Sequence, residues 1–465
     1  MKIKFYNLGT IKETELDLRP LTVLIGPNNS NKTYIAYCVY GLWKNVTTKI
    51  SIDKVSFNNV SANTISIEIS QLVKNFVVEH NNKIEHFKKE ELKKFFQDYS
   101  GQLFSRSHFA VPITEEQIKQ ALDSIVQQNT LNLLFDENVK LSLEKDKNFL
   151  LISNLDIMSK SKLHDIIESS TRKIISLIFA LNEQFFSNPF LLPAERNAFI
   201  ITYKMLANRR FNLLKENRRE LLFRDQDNVQ RQFNIVREQG DLSYPEPIED
   251  FLEFLTNAEL TKNLKMNSTA KNEFQKLADK IERYILDQNK VFYEPTVLEG
   301  KEIKVKVNKD LTIDLYNASS SIKQLTPLLL YLRYRAKKND LLIIDEPEMN
   351  LHPESQAKLL EIFGILVNLG VNVLITTHSS YFMEYLNSLV IGKLDKQASL
   401  KKQATELYLK DSRAFVPLEK VSAYEMKDNK LHSLKDEDYG IRWDTLSDVS
   451  HDIVQKYFRI DEKGQ

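Results

Sequence analysis

Leu21-Thr22-Val23-Leu24-Ile25 is a nearly continuous apolar run that leads straight into Gly26-Pro27-Asn28-Asn29-Ser30-Asn31-Lys32-Thr33. Residues 33–43 then carry apolar groups at helical spacing without a proline. A buried strand, a polar loop and a helix in immediate succession leave few folds open, because such a strand needs partner strands beside it and helices on its faces. The loop also has a chemical meaning. Backbone N–H groups wrapped around an anion, the positive end of the following helix, a lysine and a hydroxyl are what a phosphate cradle requires. In that reading Gly26, Asn28, Asn29, Ser30 and Asn31 form the cradle, Lys32 reaches the β- and γ-oxygens of ATP, and Thr33 holds Mg²⁺. A polar turn without a ligand is the alternative for this segment taken alone. Asn31 stands where glycine is usual, and asparagine is among the few residues that tolerate positive φ.

Asp340-Leu341-Leu342-Ile343-Ile344-Asp345-Glu346-Pro347-Glu348 supplies the other half of a nucleotide site. The apolar run ending at Asp345 puts a carboxylate at the tip of a buried strand, where it can hold Mg²⁺ through water. Glu346 beside it is placed to orient and polarise an attacking water. Glu348 reads as a turn or surface residue. Residues 371–379 form another buried strand, ending in His378, whose neutral imidazole suits a γ-phosphate or the attacking water, with a capping role as the alternative. Ala318-Ser319-Ser320-Ser321-Ile322-Lys323-Gln324-Leu325 reads as a helix start, or as a serine loop. The hydroxyls of Ser319, Ser320 and Ser321 and the free N–H groups there suit an anion.

Between these ends the texture changes. Residues 1–44 and 291–465 alternate strands and helices, as in an α/β fold with a mainly parallel sheet. Residues 45–290 are dense in charged and amide side chains, with amphipathic stretches at 71–96, 115–128, 164–186 and 270–289, and read as a large, mainly helical insertion. Alternation at 302–307 and 312–315 predicts a hairpin, and the tail predicts closing strands and a last helix. With 64 basic and 63 acidic residues the net charge is +1, so global charge points to neither nucleic acid nor membrane. The apolar runs fall well short of the ~20 residues of a membrane span, and Cys38 is the only cysteine. Cys38 therefore reads as a small core residue in a cytoplasmic protein without disulfides.

Residues 21–33, 319–325, 341–353 and 375–379 together resemble the ABC-type ATPase heads of the SMC, Rad50 and RecF group. They are most similar to the bacterial AAA-domain ATPases related to the OLD proteins. Pro193-Ala194-Glu195-Arg196 also looks like a segment common there, so 185–200 is expected to return to the head. The resemblance implies an ATPase in which Lys32 and Thr33 serve phosphate and Mg²⁺, Asp345 serves Mg²⁺, Glu346 is the catalytic base and His378 the γ-phosphate sensor. Ser319–321 would be the signature loop, although the usual LSGGQ has two glycines and this segment none. In such heads that loop reaches nucleotide on another subunit, which implies an ATP-dependent homodimer or higher homo-oligomer. Relatives in anti-phage systems such as PARIS and Septu imply a sensor that regulates a separate effector, a nuclease or toxin. The alternative is a RecF- or Rad50-type repair ATPase that binds DNA itself.

Three smaller readings remain open. Arg196 suits either phosphate or a buried ion pair, and Asn7 suits either a turn or the nucleoside. The arginine-rich stretch 209–237 suits a nucleic-acid backbone, but its interleaved carboxylates favour a solvated face. The stretch after His378 shows no array of spaced carboxylates of the kind a nuclease needs.

Overall fold

The computed structural model describes residues 1–45, 58–61, 64–111, 140–143, 149–153, 188–202, 205, 244–257, 272–295, 301–391, 400, 402–436, 440–441 and 455–456. The chain opens with a hairpin in which β1 (Lys2–Leu8) and β2 (Ile11–Asp17) pair antiparallel, turning Ile3, Phe5 and Leu8 inward. β3 (Leu21–Ile25) is buried along its whole length, and α1 (Lys32–Asn45) begins at the lysine of the polar loop.

Residues 45–290, expected to be mainly helical, contribute both kinds of element. β4 (Asn58–Ser61) and β5 (Thr64–Glu68) lead into α2 (Ile69–His86), which passes through a wide turn at Phe87–Glu91 into α3 (Leu92–Phe96). β6 (His108–Ala110) joins β1 as a third strand of the N-terminal sheet. β7 (Lys140–Leu143) and β8 (Phe149–Ser153) complete an antiparallel sheet in the order β4, β5, β8, β7, within a stretch expected to be mainly helical. β9 (Asn188–Leu192), α4 (Glu246–Asn257) and α5 (Glu273–Tyr284) follow. The helices expected at 115–128 and 164–186, and the basic stretch 209–237, lie outside the described residues.

The C-terminal part begins with β10 (Lys290–Pro295), β11 (Lys301–Lys306) and β12 (Thr312–Asp314), which form an antiparallel sheet containing the expected hairpin. Then come α6 (Ser320–Tyr334), β13 (Asp340–Asp345), α7 (Pro353–Asn368), β14 (Asn372–Thr377) and α8 (Ser380–Leu389). The short strands β15 (Val390–Ile391) and β16 (Val416–Pro417) pair with each other, before β17 (Val421–Lys427) and β18 (Lys430–Ser433) close the central sheet. The last helix expected in the tail falls outside the described residues apart from 455–456. No helix among the described residues is long and apolar enough to cross a membrane.

The central sheet runs β18, β17, β3, β14, β13, β9, with the last five strands parallel and β18 antiparallel at one edge. Its strands are apolar without alternation because both faces are covered. Leu24, Leu341, Ile343 and Leu374 belong to one core with Ile35 and Trp43 of α1. Val23, Ile25, Leu342, Ile344, Val373 and Ile375 belong to the other, with Leu329 of α6 and Phe363 of α7. This mixed α/β sheet flanked by helices is the expected fold class. It brings the C-terminal ends of β3, β14 and β13 side by side.

Candidate functional site

Ile25 at the end of β3 pairs with Thr377, and Asp345 at the end of β13 pairs with Thr376, so β14 lies between the phosphate-loop strand and the acidic strand. Ligands in open parallel sheets gather at this edge, where loops leave the strand ends. The loop after β3 needs glycine at its first position, since a Cβ on Gly26 would lie 2.9 Å from the Met426 carbonyl oxygen. Two asparagines supply the left-handed backbone in its middle, Asn29 at φ 61° and Asn31 at φ 67°. Asn28 and Asn29 are exposed and Ser30 is half-buried.

Lys32 is buried, and its ammonium is caged by the loop itself. It donates to the carbonyls of Gly26 at 3.0 Å and Pro27 at 2.9 Å and to Ser30 Oγ at 3.2 Å. Burial lowers its pKa to about 8, against the fields of Glu346, Asp345 and Glu348. His378 Nδ1, the farthest of the four acceptors at 3.4 Å, shares the ammonium's three N–H groups with the other three. An ammonium can only donate, so Nδ1 is the acceptor, and Nε2 carries the proton toward Glu346 Oε1 at 2.8 Å. Lys32, His378 and Glu346 thus form one chain of hydrogen bonds across two loops.

Asp345 is 2% exposed, and burial raises its carboxyl pKa to about 6, although Thr376 Oγ1 and Thr33 Oγ1 both donate to it. The Thr33 contact, 3.3 Å long, joins the two oxygen ligands that a hard divalent cation prefers. Glu346 has φ 49°, and its backbone N–H donates to the Thr376 carbonyl at 3.0 Å. The His378 hydrogen bond holds its carboxyl below the usual range.

Glu348 lies in the turn after β13, as its sequence reading allowed, but its carboxylate is engaged: its Oε1 accepts from Thr377 Oγ1 at 2.7 Å and from the His378 backbone N–H at 2.8 Å, fixing the strand end that carries His378. Arg196 neither faces the loop nor joins an ion pair among the described residues. It is 2% exposed, and its guanidinium donates to the backbone carbonyls of Pro193, Gln324, Asp345 and Glu346. The Pro193–Arg196 segment stood out in the sequence, but which partners Arg196 takes did not, because all four are backbone carbonyls.

The serines are not drawn into this cluster. Ser319 caps α6 by accepting from the Ile322 N–H at 3.3 Å, Ser319 Oγ and Ser321 Oγ lie 2.9 Å apart, and Ser320 is exposed. Asn7, exposed and at φ 53° near the end of β1, accepts at its carbonyl from Ser107 Oγ. Cys38 is wholly buried in the core.

A family model described as an AAA ATPase domain matches residues 1–383. One similar solved structure is the SmcHead bound to the C-winged helix domain of ScpA, at TM-score 0.34 and 10% identity, covering 93% of this chain and 96% of that one. Another is the Smc head domain with an extended coiled coil bound to the C-terminal domain of ScpA derived from Pyrococcus furiosus, at TM-score 0.33 and 12% identity, covering 97% and 98% respectively. No curated protein matches the chain.

Proposed function

The chain belongs to the AAA ATPase domain family, and from that premise we propose that it binds and hydrolyses ATP at the edge where β3, β14 and β13 end. The observation that carries this reading is the hydrogen-bonded chain from Lys32 through His378 to Glu346, beside the Thr33–Asp345 pair. The residues suit the implied ligands. Gly26 lets the loop leave β3 in close contact with Met426 of β17, and Lys32 can exchange loop carbonyls for phosphate oxygens. Thr33 and Asp345 would hold Mg²⁺, which when bound neutralises phosphate charge. Glu346, ionised and aligned by the Nε2–H of His378, accepts a hydrogen bond from the attacking water and takes its proton. His378 is in turn held by Glu348 at its backbone and by Lys32 at Nδ1.

Ser319 and Ser320 are exposed, and no hydrogen bond joins them to their own phosphate loop among the described residues. That supports a role for them on the nucleotide of a second copy, in an ATP-dependent dimer or higher oligomer. The sequence resemblance supports a further step, in which the ATP state regulates a separate effector, in anti-phage defence, inside the cytoplasm.

Purified wild type and Glu346→Gln test the core of this reading by ATP turnover and by mass with and without ATP. Replacing a catalytic base is expected to cost about 100-fold or more in turnover. Equal turnover in the two proteins would sink the assignment of Glu346. A mass unchanged by ATP, with no oligomer in its absence, would remove the dimer.

A further inference from the structure

Arg196 opens the helical turn that follows β9, on a strand adjacent to β13. Its five N–H donors lie in one plane, and four acceptors meet them, all of them backbone carbonyls. Nε donates to Gln324 at 3.2 Å, one terminal nitrogen to Pro193 at 2.8 Å and Asp345 at 2.6 Å, and the other to Glu346 at 2.9 Å. The carboxylates of Asp345, Glu348 and Glu346 favour its charge through space, but among the described residues none reaches it at ion-pair distance, so converging carbonyl dipoles carry its hydrogen bonds. Here the carbonyls of two consecutive residues, Asp345 and Glu346, both turn toward it. Glu346 is at φ 49°, a strained conformation for a glutamate, which persists only where its surroundings determine it. The Glu346 N–H is held from the other side by the Thr376 carbonyl and hydroxyl.

The Gln324 carbonyl belongs to the second turn of α6, the helix that Ser319 caps. Among the described residues no other hydrogen bond joins residues 319–326 to residues 345–348. The Gln324 side-chain amide, wholly buried, has no hydrogen-bond partner there. The start of α6 is therefore tied to the acidic turn by Arg196.

Building on the ATPase reading, we propose that Arg196 is a positioning residue, which fixes the orientation of Glu346 and couples it to the start of α6, so that movement of the serine-bearing helix end alters the hydrolytic geometry. Lysine in its place keeps the charge but presents a single nitrogen. It cannot span the carbonyls of both the acidic turn and α6.

The test uses the full chain as wild type and Arg196→Lys. For Arg196→Lys the expected result is a KM close to wild type with kcat per folded molecule lowered by about 100-fold, the signature of misplaced chemistry rather than lost binding. An unchanged kcat per folded molecule, with the apparent kcat lowered only in proportion to the folded fraction, overturns the proposal. Native-state hydrogen exchange on wild type and Arg196→Lys gives a readout that needs no turnover. Residues 320–326 and 345–350 are expected to open together in wild type as denaturant is raised and to open at separate free energies in Arg196→Lys; the same joint opening in both proteins overturns the coupling. If wild type does not turn over ATP at all, the ATPase reading fails by itself, while the exchange comparison still decides whether Arg196 joins the two segments.

Discussion

At position 31 a glycine would close the phosphate loop without strain, yet the asparagine there is put to use. Its Nδ2 donates to Thr10 Oγ1 at 2.6 Å, and Thr10 donates to Asn429 Oδ1 at 2.8 Å, so the loop is tied to the turn between β1 and β2 and to the turn between β17 and β18. Two effects can be separated by substitution. Asn31→Gly loses the hydrogen bond, about 1 kcal/mol, and keeps the left-handed backbone. Asn31→Ala loses the bond and also forces a Cβ-bearing residue without local hydrogen bonding into positive φ, about 1 kcal/mol more. If an ordered loop is needed to receive phosphate, ATP affinity falls about 5-fold for glycine and about 30-fold for alanine. Equilibrium titration with a fluorescent ATP analogue measures both, and equal losses would rule out backbone conformation as the controlling term. Asp345, Glu346 and His378 were legible in the sequence because each follows an apolar run that places it at a strand end, and Lys32 and Thr33 because they open the helix that follows a buried strand and its polar loop. The partners of Arg196 and Glu348 were not, since an arginine that binds carbonyls and a glutamate that binds a backbone N–H are not told apart, as letters, from other polar residues.

The helices show where packing rather than patterning sets the limits. α7 is buried nearly all round, with Leu359, Leu360, Ile362, Phe363, Ile365 and Leu366 each fully covered, and it approaches the segment at Ala414 closely. A Cβ on Gly364 would lie 2.1 Å from the Ala414 carbonyl oxygen. Alanine is the better helix former by about 1 kcal/mol, but a backbone oxygen cannot rotate away, so the clash decides the sign. Gly364→Ala is expected to lower stability by about 2 kcal/mol net, seen as an earlier midpoint in urea, with ATP affinity of the folded fraction unchanged. A later midpoint would show that the two segments are not held this close. At this scale the long apolar strands β3, β13 and β14 and the alternating hairpin of β11 and β12 could be read in advance. The sheet of β4, β5, β8 and β7 was missed: Thr64–Glu68 and Lys140–Leu143 do alternate, but each run is only four or five residues long in a stretch whose charged and amide density reads as helical, and Asn58-Asn59-Val60-Ser61 has no alternation at all.

Across the whole molecule the apparent boundaries at residues 44 and 290 are crossed by the packing. β3 sits between β14 and β17, so the first strand of the central sheet is completed by the far end of the chain. The stretch between also reaches into this assembly. Tyr40 and Lys44 of α1 both donate to Asp250 of α4 at 2.5 Å, and Lys280 of α5 donates to Asp411 at 2.5 Å. Asp411 also accepts from Arg413 at 2.8 Å, and Arg413 reaches Glu273 at the start of α5 at 2.9 Å. Burial by itself would raise the Asp411 carboxyl, but the hydrogen bonds from Arg413 and Lys280 outweigh it and hold its pKa well below the usual carboxylate range. A carboxylate depressed in the folded state contributes stability that is fully present above its unfolded pKa of about 4 and is lost as pH falls toward the folded value. The site is partly open to solvent, so screening keeps the contribution near the upper end for surface pairs, about 1 kcal/mol. Asp411→Asn is therefore expected to be less stable than wild type by about that amount at neutral pH. The gap should narrow progressively as pH is lowered below about 4, because wild type then loses the charge that the variant never had. Urea midpoints compared at pH 7, 5 and 3.5 read this directly. A gap that stays constant with pH would mean that shape and hydrogen bonding, rather than charge, fasten α5 to the C-terminal segment.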